Sequence, residues 1–375
     1  MNEHHPYGWL ETGDEFFRAL QAAIASARAS LRLEMYIYTA GQPGDSVRAA
    51  LVAAARRGVR VQVLLDAFGS MELPDDYWAD LAAAGGAFRS FNPLRLTRLV
   101  FRDHRKMLVG DACVAVVGGF NIMAEAEGDG VTRGWRDLGL RLEGPVVADL
   151  AAAFDTMWAR AGHKPRRRWH LPKLSELRRT PCQPPVALLT SQPGHRSAIR
   201  RSLLSDFRQA RNVRIISGYF LPSRPMRRAL RRAARRGGDV QLITPGKTDV
   251  PLARYAGRAL FARLLRARIR VFEYTAQVLH TKLMVTDDVV YIGSANLDYR
   301  SLHINFELLV RIADRRLAAE ARRIFDGYLP HGRPIDRATW ARARSLWEKI
   351  MERLTYLLFA HLDIYLARRG LSKLR

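Results

Sequence analysis

Cysteine is nearly absent: Cys113 and Cys182 are the only two in 375 residues, too few for a disulfide framework and not spaced as a Cys-x-x-Cys metal site. A reducing compartment is the simplest setting. Long apolar runs are missing as well. No stretch approaches the ~18 residues of a membrane-spanning helix, and the opening MNEHHPYGWLETGDEFF lacks the apolar centre of a signal peptide. The longest candidate, LTYLLF at 354–359, runs into His361 and Asp363. A soluble or membrane-surface protein without an export signal is expected. Acidic residues are scarce, 36 against 61 Lys+Arg, giving a net charge of +25 and a pI near 11.0. Such a field attracts polyanions, either nucleic acid or an anionic lipid surface. Lysine is scarce too, seven of those 61 cations. An arginine-biased proteome accounts for such an excess equally well, and it makes a lysine at a motif position informative.

What is present is globular. Hydrophobic content of 48% and charged content of 26% exclude disorder, collagen and coiled coil as the main class, and the length suits two domains of about 150–200 residues. The chain also repeats itself. AARRGVRVQVLLD (54–66) matches AARRGGDVQLITP (233–245), and DHRKMLVGDACVAVVGGFN (103–121) matches LHTKLMVTDDVVYIGSAN (279–296), at nearly equal offsets. Each half reads strand, helix, strand, helix, then a hairpin. The strands are 31–38 and 59–66, then 213–220 and 239–244; the helices are 47–58 and 226–237. Alternating strands and helices argue for layered α/β domains. The expected organisation is a first domain over 1–161, a basic proline-rich linker over 162–185, a second domain over 186–336 and a helical segment over 337–375.

The repeated hairpin carries the chemistry. His-x-Lys is followed five places after the lysine by an acid, then by Gly-Gly/Ser-x-Asn: His104, Lys106, Asp111, Gly118, Gly119 and Asn121 in the first copy, His280, Lys282, Asp287, Gly293, Ser294 and Asn296 in the second. On a strand, residues i and i+2 share a face, so each His-Lys pair is expected to project into one pocket. Two imidazoles, two ammoniums and two amides suit a phosphodiester: cations and amides hold the oxygens, one histidine attacks phosphorus and the other protonates the leaving oxygen. Asp111 and Asp287, an odd number of residues from their lysines, read as turn residues that stabilise the hairpin. Asp137 follows His104 and Glu307 follows His280, each at the start of a strand, where a carboxylate can fix a histidine tautomer. Glu34, Asp66 and Ser70 at strand ends, and Arg300 and Ser301 after the second motif, are weaker candidates.

These residues resemble the phospholipase D superfamily, defined by a duplicated HxKx4Dx6G(G/S)xN motif, and within it the bacterial cardiolipin synthases without N-terminal transmembrane helices. The resemblance covers residues 8–330, through LEMYIY (33–38), AARRGVRVQVLLDAFGS (54–70), HRKMLVGD (104–111), VGGFN (117–121), WRDLGLRLEGPVV (135–147) and GSANLDYRS (293–301). The second copy departs from it, with five residues rather than six between Asp287 and Gly293, which predicts a shifted register in that hairpin. The resemblance implies two α-β-α sandwich domains with mixed sheets about a pseudo-twofold axis, one active site at their interface, no metal and no cofactor. It implies His104 as nucleophile through a phosphohistidine and His280 as acid, with Lys106, Lys282, Asn121, Asn296, Asp111 and Asp287 completing the catalytic motifs. It further implies Gly119 and Ser294 in the phosphate pocket and Asp137 and Glu307 orienting the histidines. The implied partners are phosphatidylglycerol and a membrane surface, peripherally, on the cytoplasmic face of the bacterial inner membrane.

Four functions compete: a phosphatidyltransferase making cardiolipin, a phospholipase D hydrolase, a nucleic-acid phosphodiesterase, and a silent binding protein. Intact motifs disfavour the last. Both copies in one chain, where nucleases of the family are commonly single-copy dimers, disfavour nucleic acid. So does MERLTYLLFAHLDIYLARR (351–369), whose Leu354, Leu357, Leu358, Leu362 and Tyr365 fall at helical spacing beside Phe359 and Ile364, with Arg353, Arg368 and Arg369 flanking. That segment reads either as an interfacial helix or as a C-terminal helix packed on the second domain.

Overall fold

The computed structural model describes residues 6–92, 101–162, 185–340, 342 and 344–359. Most of the expected linker, with His163, His170 and Cys182, lies outside the described residues, as do positions 360–375. The first sheet comprises β1 (Tyr7–Leu10), β2 (Ser30–Met35), β3 (Arg60–Asp66), β4 (Ala87–Phe91), β5 (Met107–Gly110), β6 (Val114–Gly118) and β7 (Gly139–Glu143), in the order β1-β7-β6-β5-β2-β3-β4. The second comprises β8 (Val186–Ser191), β9 (Asn212–Ser217), β10 (Asp239–Lys247), β11 (Arg270–Val278), β12 (Lys282–Thr286), β13 (Val289–Gly293), β14 (Glu307–Ala313) and β15 (Gly332–Pro334). Its order is β15-β11-β10-β9-β12-β13-β14-β8. Remove the edge strand β15 and the two orders correspond strand for strand, as two copies of one unit should, in keeping with the pseudo-twofold relation that the resemblance implied. Both sheets are mixed: β2, β3 and β4 run parallel, as do β9, β10 and β11, while the motif hairpins add antiparallel strands.

The helices, in chain order, are α1 (Gly13–Ser26), α2 (Gly44–Arg56), α3 (Ala79–Ala83), α4 (Val146–Gly162), α5 (Ala198–Gln209), α6 (Arg224–Arg235), α7 (Pro251–Arg258), α8 (Phe261–Leu265), α9 (Tyr299–His303), α10 (Arg315–Tyr328), α11 (Arg337–Trp340) and α12 (Leu346–Leu357). The Arg-Arg-Gly repeat ends α2 and α6 in the same way. Gly58 and Gly237 both take φ of +87°, a left-handed turn that suits glycine. Helix α1 was not read from the sequence, although a capping box of Thr12 and Glu15 marks its start.

Strand alternation sorts the core into layers. Odd positions of β5 and β6, such as Met107, Val109, Ala115 and Val117, point inward, and so do Leu283, Val285, Val290 and Ile292 of the second hairpin. They meet α4 (Leu150, Phe154) and α10 (Leu317, Phe325) in one central core shared by both halves. Intervening residues face outward, Leu108 and Val116 onto α1 and α2, Met284 and Tyr291 onto α5 and α6. A core drawn from both halves fixes their mutual position, and with it the ends of β5 and β12 where the motifs begin.

The one-residue deletion in the second motif is absorbed in its turn. The first hairpin pairs Met107 with Val117 and turns through residues 111–113; the second pairs Leu283 with Ile292 and turns through Asp287 and Asp288 alone. In both, the residue after the motif lysine faces the residue before the first motif glycine. The expected register shift is therefore corrected: turn length changes and strand register does not.

Candidate active site

Each motif histidine is held by a backbone bridge to the other half. Asp103 bridges Phe306, with His104 N donating to Phe306 O at 3.0 Å and Phe306 N to Arg102 O at 2.9 Å. The matching bridge joins Arg136 and Leu279, with His280 N donating to Arg136 O and Arg136 N to Val278 O, both at 2.8 Å. These bridges place His104 beside Glu307 and His280 beside Asp137. His104 Nδ1 lies 3.0 Å from Glu307 Oε2, and His280 Nδ1 lies 2.6 Å from Asp137 Oδ2. The acid that follows a histidine in sequence thus serves the histidine of the opposite half.

Gly119 and Ser294 explain themselves behind these pairs rather than in the phosphate pocket, and neither lines the cavity. A Cβ at 119 would stand 2.1 Å from Asp137 Oδ1, so glycine makes room for that carboxylate. Ser294, at the equivalent position, donates its hydroxyl to Glu307 Oε2 at 2.5 Å. Asn121 and Asn296 border the cavity, each anchored by its carbonyl oxygen, which accepts from Ile37 N at 3.3 Å and from Tyr219 N at 3.2 Å. Anchored so, each amide group keeps its nitrogen as a donor for an anion.

The lysines differ from expectation. Both are buried and neither borders the cavity. Lys106 Nζ donates to the carbonyl of His104 at 2.8 Å and lies 5.0 Å from the centroid of the Tyr36 ring. Lys282 Nζ donates to the carbonyl of His280. It also sits 2.8 Å from His280 Nδ1, but that nitrogen cannot both donate to Asp137 and accept from Lys282. Asp137, with acceptor atoms only, accepts the Nδ1–H hydrogen bond of His280. The strand pleat carries each lysine beneath its histidine, so its charge acts through space.

Burial acts on both histidines in the same direction, while the two carboxylates move apart. It lowers His104 well below the ordinary imidazole value, with Lys106, Lys282 and His280 adding to the effect, and it raises Glu307 to about 7. It lowers His280 too, with Lys282 adding, but Asp137 and Asp249 oppose the shift. For Asp137, burial would raise the carboxyl, yet Lys282 and His280 outweigh it and hold it below its usual range. A neutral imidazole donating Nδ1–H to Glu307 keeps a lone pair on Nε2; an ionised Asp137 favours an imidazolium at His280.

Both histidines and both asparagines open into one cavity of about 430 Å³ between the halves. Its walls are largely apolar and aromatic, including Phe68, Trp135, Tyr219, Leu221, Val250 and Phe359. Tyr36 packs on His104 at 4.7 Å between ring centroids and Trp135 on His280 at 5.5 Å. Sequence reasoning missed these two rings, along with Arg102, Tyr219 and Asp249 of the lining. Their only signal was position at strand ends or two places before a motif residue. Arg300 and Ser301 do line the cavity.

Asp111 and Asp287, carried among the catalytic motif residues, stand outside the cavity. Asp111 accepts backbone N–H bonds from Arg28, Ala29 and Ser30 at 2.7–2.8 Å, and Asp287 from Arg211 and Asn212 at 2.8–3.2 Å. Each has positive φ in the hairpin turn and caps the start of the neighbouring strand, β2 or β9. Asp66 is likewise structural, accepting from Phe68 N, Gly69 N and Asp103 N. Ser70 bonds the backbone of Tyr36 and Tyr38. Glu34 is buried against Arg105 at 3.1 Å.

Two pseudo-symmetric α/β halves closing on paired His-Lys-Asn sets define a phospholipase D-like enzyme. A family model described as "Cardiolipin synthase, PLD-like domain" matches residues 20–158 and 203–329. The chain is 37% identical over 328 residues to cardiolipin synthase B of Escherichia coli K12, covering 85% of this chain and 79% of that protein. It is 32% identical over 362 residues to cardiolipin synthase A of Cronobacter sakazakii, covering 92% and 74%. A crystal structure of phosphatidylserine synthase from Haemophilus influenzae shares the fold, with a TM-score of 0.77 at 15% identity, covering 99% of this chain and 96% of that one. The chain belongs to the cardiolipin synthase family of phospholipase D-like phosphatidyltransferases.

Proposed function

We propose that the enzyme moves a phosphatidyl group from phosphatidylglycerol to the hydroxyl of a second lipid, through a phosphohistidine on His104. The observation that carries this reading is two histidines opening into one cavity, each held at Nδ1 by a carboxylate of the other half, His104 by Glu307 at 3.0 Å and His280 by Asp137 at 2.6 Å. His104 Nε2 attacks phosphorus, the P–O bond to glycerol breaks, and His280 gives its proton to the leaving oxygen. In the second step His280 takes the proton of the incoming hydroxyl, whose oxygen displaces His104 from phosphorus. Asn121 and Asn296 donate to the non-bridging oxygens, and Lys106 and Lys282 stabilise the charge that gathers there. Apolar walls suit acyl chains and disfavour water as acceptor. Incubation with labelled phosphatidylglycerol tests the reading: cardiolipin plus glycerol is expected, and phosphatidic acid plus glycerol would mark a hydrolase.

A peripheral seat on anionic membrane, at the cytoplasmic face, belongs to the same proposal. Among the described residues no helix is long and apolar enough to cross a membrane. Helix α12 carries an inverted pattern instead. Its inner side is polar: buried Glu352 pairs with Arg258 of α7 and with Arg344. Its outer side exposes Trp347, Ile350, Leu354, Leu357 and Leu358. Phe68 and Val250, both exposed, share the cavity lining with Phe359, so the apolar surface runs to the cavity mouth.

A further inference from the structure

The pseudo-twofold relation separates two kinds of residue in the cavity. The histidines, lysines, asparagines and orienting acids occur in both halves, as chemistry at a shared phosphorus requires. Residues that break the symmetry face the two different substituents on phosphorus. The clearest break is at the asparagine anchors: the backbone N–H that holds Asn121 comes from Ile37, whereas the one that holds Asn296 comes from Tyr219. The Tyr219 hydroxyl donates to Asp249 Oδ2 at 2.6 Å, and both residues line the cavity. Thr248 Oγ1 donates to Asp249 Oδ1 at 3.2 Å, which leaves the carboxylate, with two lone pairs on each oxygen, room for further donors. The other end of the cavity is cationic. Arg102 is 6% exposed, its guanidinium lies over the Phe68 ring at 4.2 Å, and it precedes His104 by two residues where Val278 precedes His280.

We propose that Tyr219 and Asp249 form the headgroup subsite, accepting hydrogen bonds from the free hydroxyls of a neutral polyol held at the His280 end of the cavity. This rests on the transferase reading. With His104 bonded to phosphorus, the leaving and entering oxygens lie in line on the opposite side, toward His280, and that is where the headgroup must sit. Tyr219 N–H holds Asn296 of the His280 motif at 3.2 Å and its hydroxyl holds Asp249 at 2.6 Å, which places the pair at that end. A carboxylate there accepts hydrogen bonds from hydroxyls and repels an anionic headgroup. The subsite is therefore a specificity device, used by the departing glycerol and again by the glycerol headgroup of the acceptor.

The test uses the full chain, unlabelled phosphatidylglycerol as donor, and isotope-labelled glycerol, 1-propanol and ethanolamine as competing acceptors. The readout is the ratio of labelled acceptor incorporated, so that a general loss of His280 function cancels. The wild type is expected to prefer glycerol to 1-propanol by roughly tenfold, and Asp249→Asn and Tyr219→Phe to bring the ratio to within about twofold of unity. A ratio unchanged in both variants overturns the subsite. So does a wild type that prefers ethanolamine, because the carboxylate would then be an ammonium site. A wild type that transfers to no alcohol at all, while still releasing glycerol, overturns the transferase reading and the subsite with it.

Discussion

Asp137 comes from the first half of the chain and His280 from the second, yet their side chains meet at 2.6 Å. Glu307 and His104 form the reciprocal pair at 3.0 Å. Neither half holds a complete histidine–acid pair of its own, so the site exists only when both sheets are docked through their shared core. The two pairs are alike in topology, but their carboxylates differ: burial raises Glu307, whereas Lys282 and His280 hold Asp137 below its usual range.

Leaving-group chemistry reads out which histidine is nucleophile and which is acid. His280→Ala and Asp137→Asn are expected to lower turnover of phosphatidylglycerol by about 10²–10⁴-fold, while a substrate with a p-nitrophenol leaving group, which needs little protonation, recovers most of the rate. His104→Ala and Glu307→Gln are not expected to recover. Quench-flow measurement of the covalent adduct gives a second view: some adduct in His280→Ala, none in His104→Ala. The reverse pattern would exchange nucleophile and acid.

The legible part of this protein was whatever the duplication wrote twice. Motif residues, paired strands and the Arg-Arg-Gly helix ends were readable because each copy vouches for the other. The crossing of acids and histidines was not, since it depends on two single-residue bridges, at Asp103–Phe306 and Arg136–Leu279, that no periodicity encodes. Nor were Tyr219, which stands where the first half has Ile37, and Asp249, which belongs to no repeated motif. Gly119 and Ser294 were seen but misplaced, because sequence shows that a position is small without showing what it makes room for.

The alkaline limb of the pH profile follows from Lys106. Burial lowers its ammonium to about 7, so in the free enzyme the positive charge is lost as pH rises through that value. A bound phosphodiester favours the charged form and raises the value in the complex. The expected result is that kcat/KM declines above about pH 7 while kcat holds to higher pH. Coincident limbs, or a kcat/KM flat into the alkaline range, would count against a lysine that acts as a cation.

Chelation is expected to leave the rate unchanged, because Lys106 and Lys282 supply the charge that a divalent ion supplies in metal-dependent phosphodiesterases. Lys106→Met and Lys282→Met are each expected to lose at least about 10²-fold in kcat. Activity abolished by EDTA and restored by one divalent ion, in lipid dispersions shown not to aggregate, would overturn this.

Asp111 is expected to matter for stability. Burial would raise its carboxyl, but the N–H groups of Ser30, Arg28 and Ala29 outweigh it and hold it below the usual value. A depressed carboxyl contributes stability above its unfolded value, and that contribution disappears as pH falls through its folded value. Asp111→Ala is expected to cost about 1 kcal/mol, the scale of a lost backbone cap, visible as a lower Tm at neutral pH. The gap from wild type should narrow on acidification. An unchanged Tm at neutral pH with reduced adduct formation would place Asp111 in catalysis after all.

The surface of α12 separates membrane seating from ordinary packing. A helix that served only the core would bury its leucines; here Leu354 is 57% and Leu357 50% exposed, whereas Glu352 is 2% exposed. Deleting residues 351–375 would remove Glu352, a buried partner of Arg258, and confuse seating with folding, so point changes on the outer face are the sharper probe. Leu354→Glu and Leu357→Glu together are expected to leave Tm and activity on detergent-dispersed lipid near wild type. On vesicles containing phosphatidylglycerol, both sedimentation and turnover should fall, since each leucine that enters an apolar phase contributes up to about 1.5–3 kcal/mol. Arg353, exposed beside them, adds about 1 kcal/mol near lipid phosphates, so binding should also weaken with salt. Unchanged vesicle binding in the double variant would remove α12 from the membrane-facing surface and leave the cavity rim, with Phe68 and Val250, to carry it.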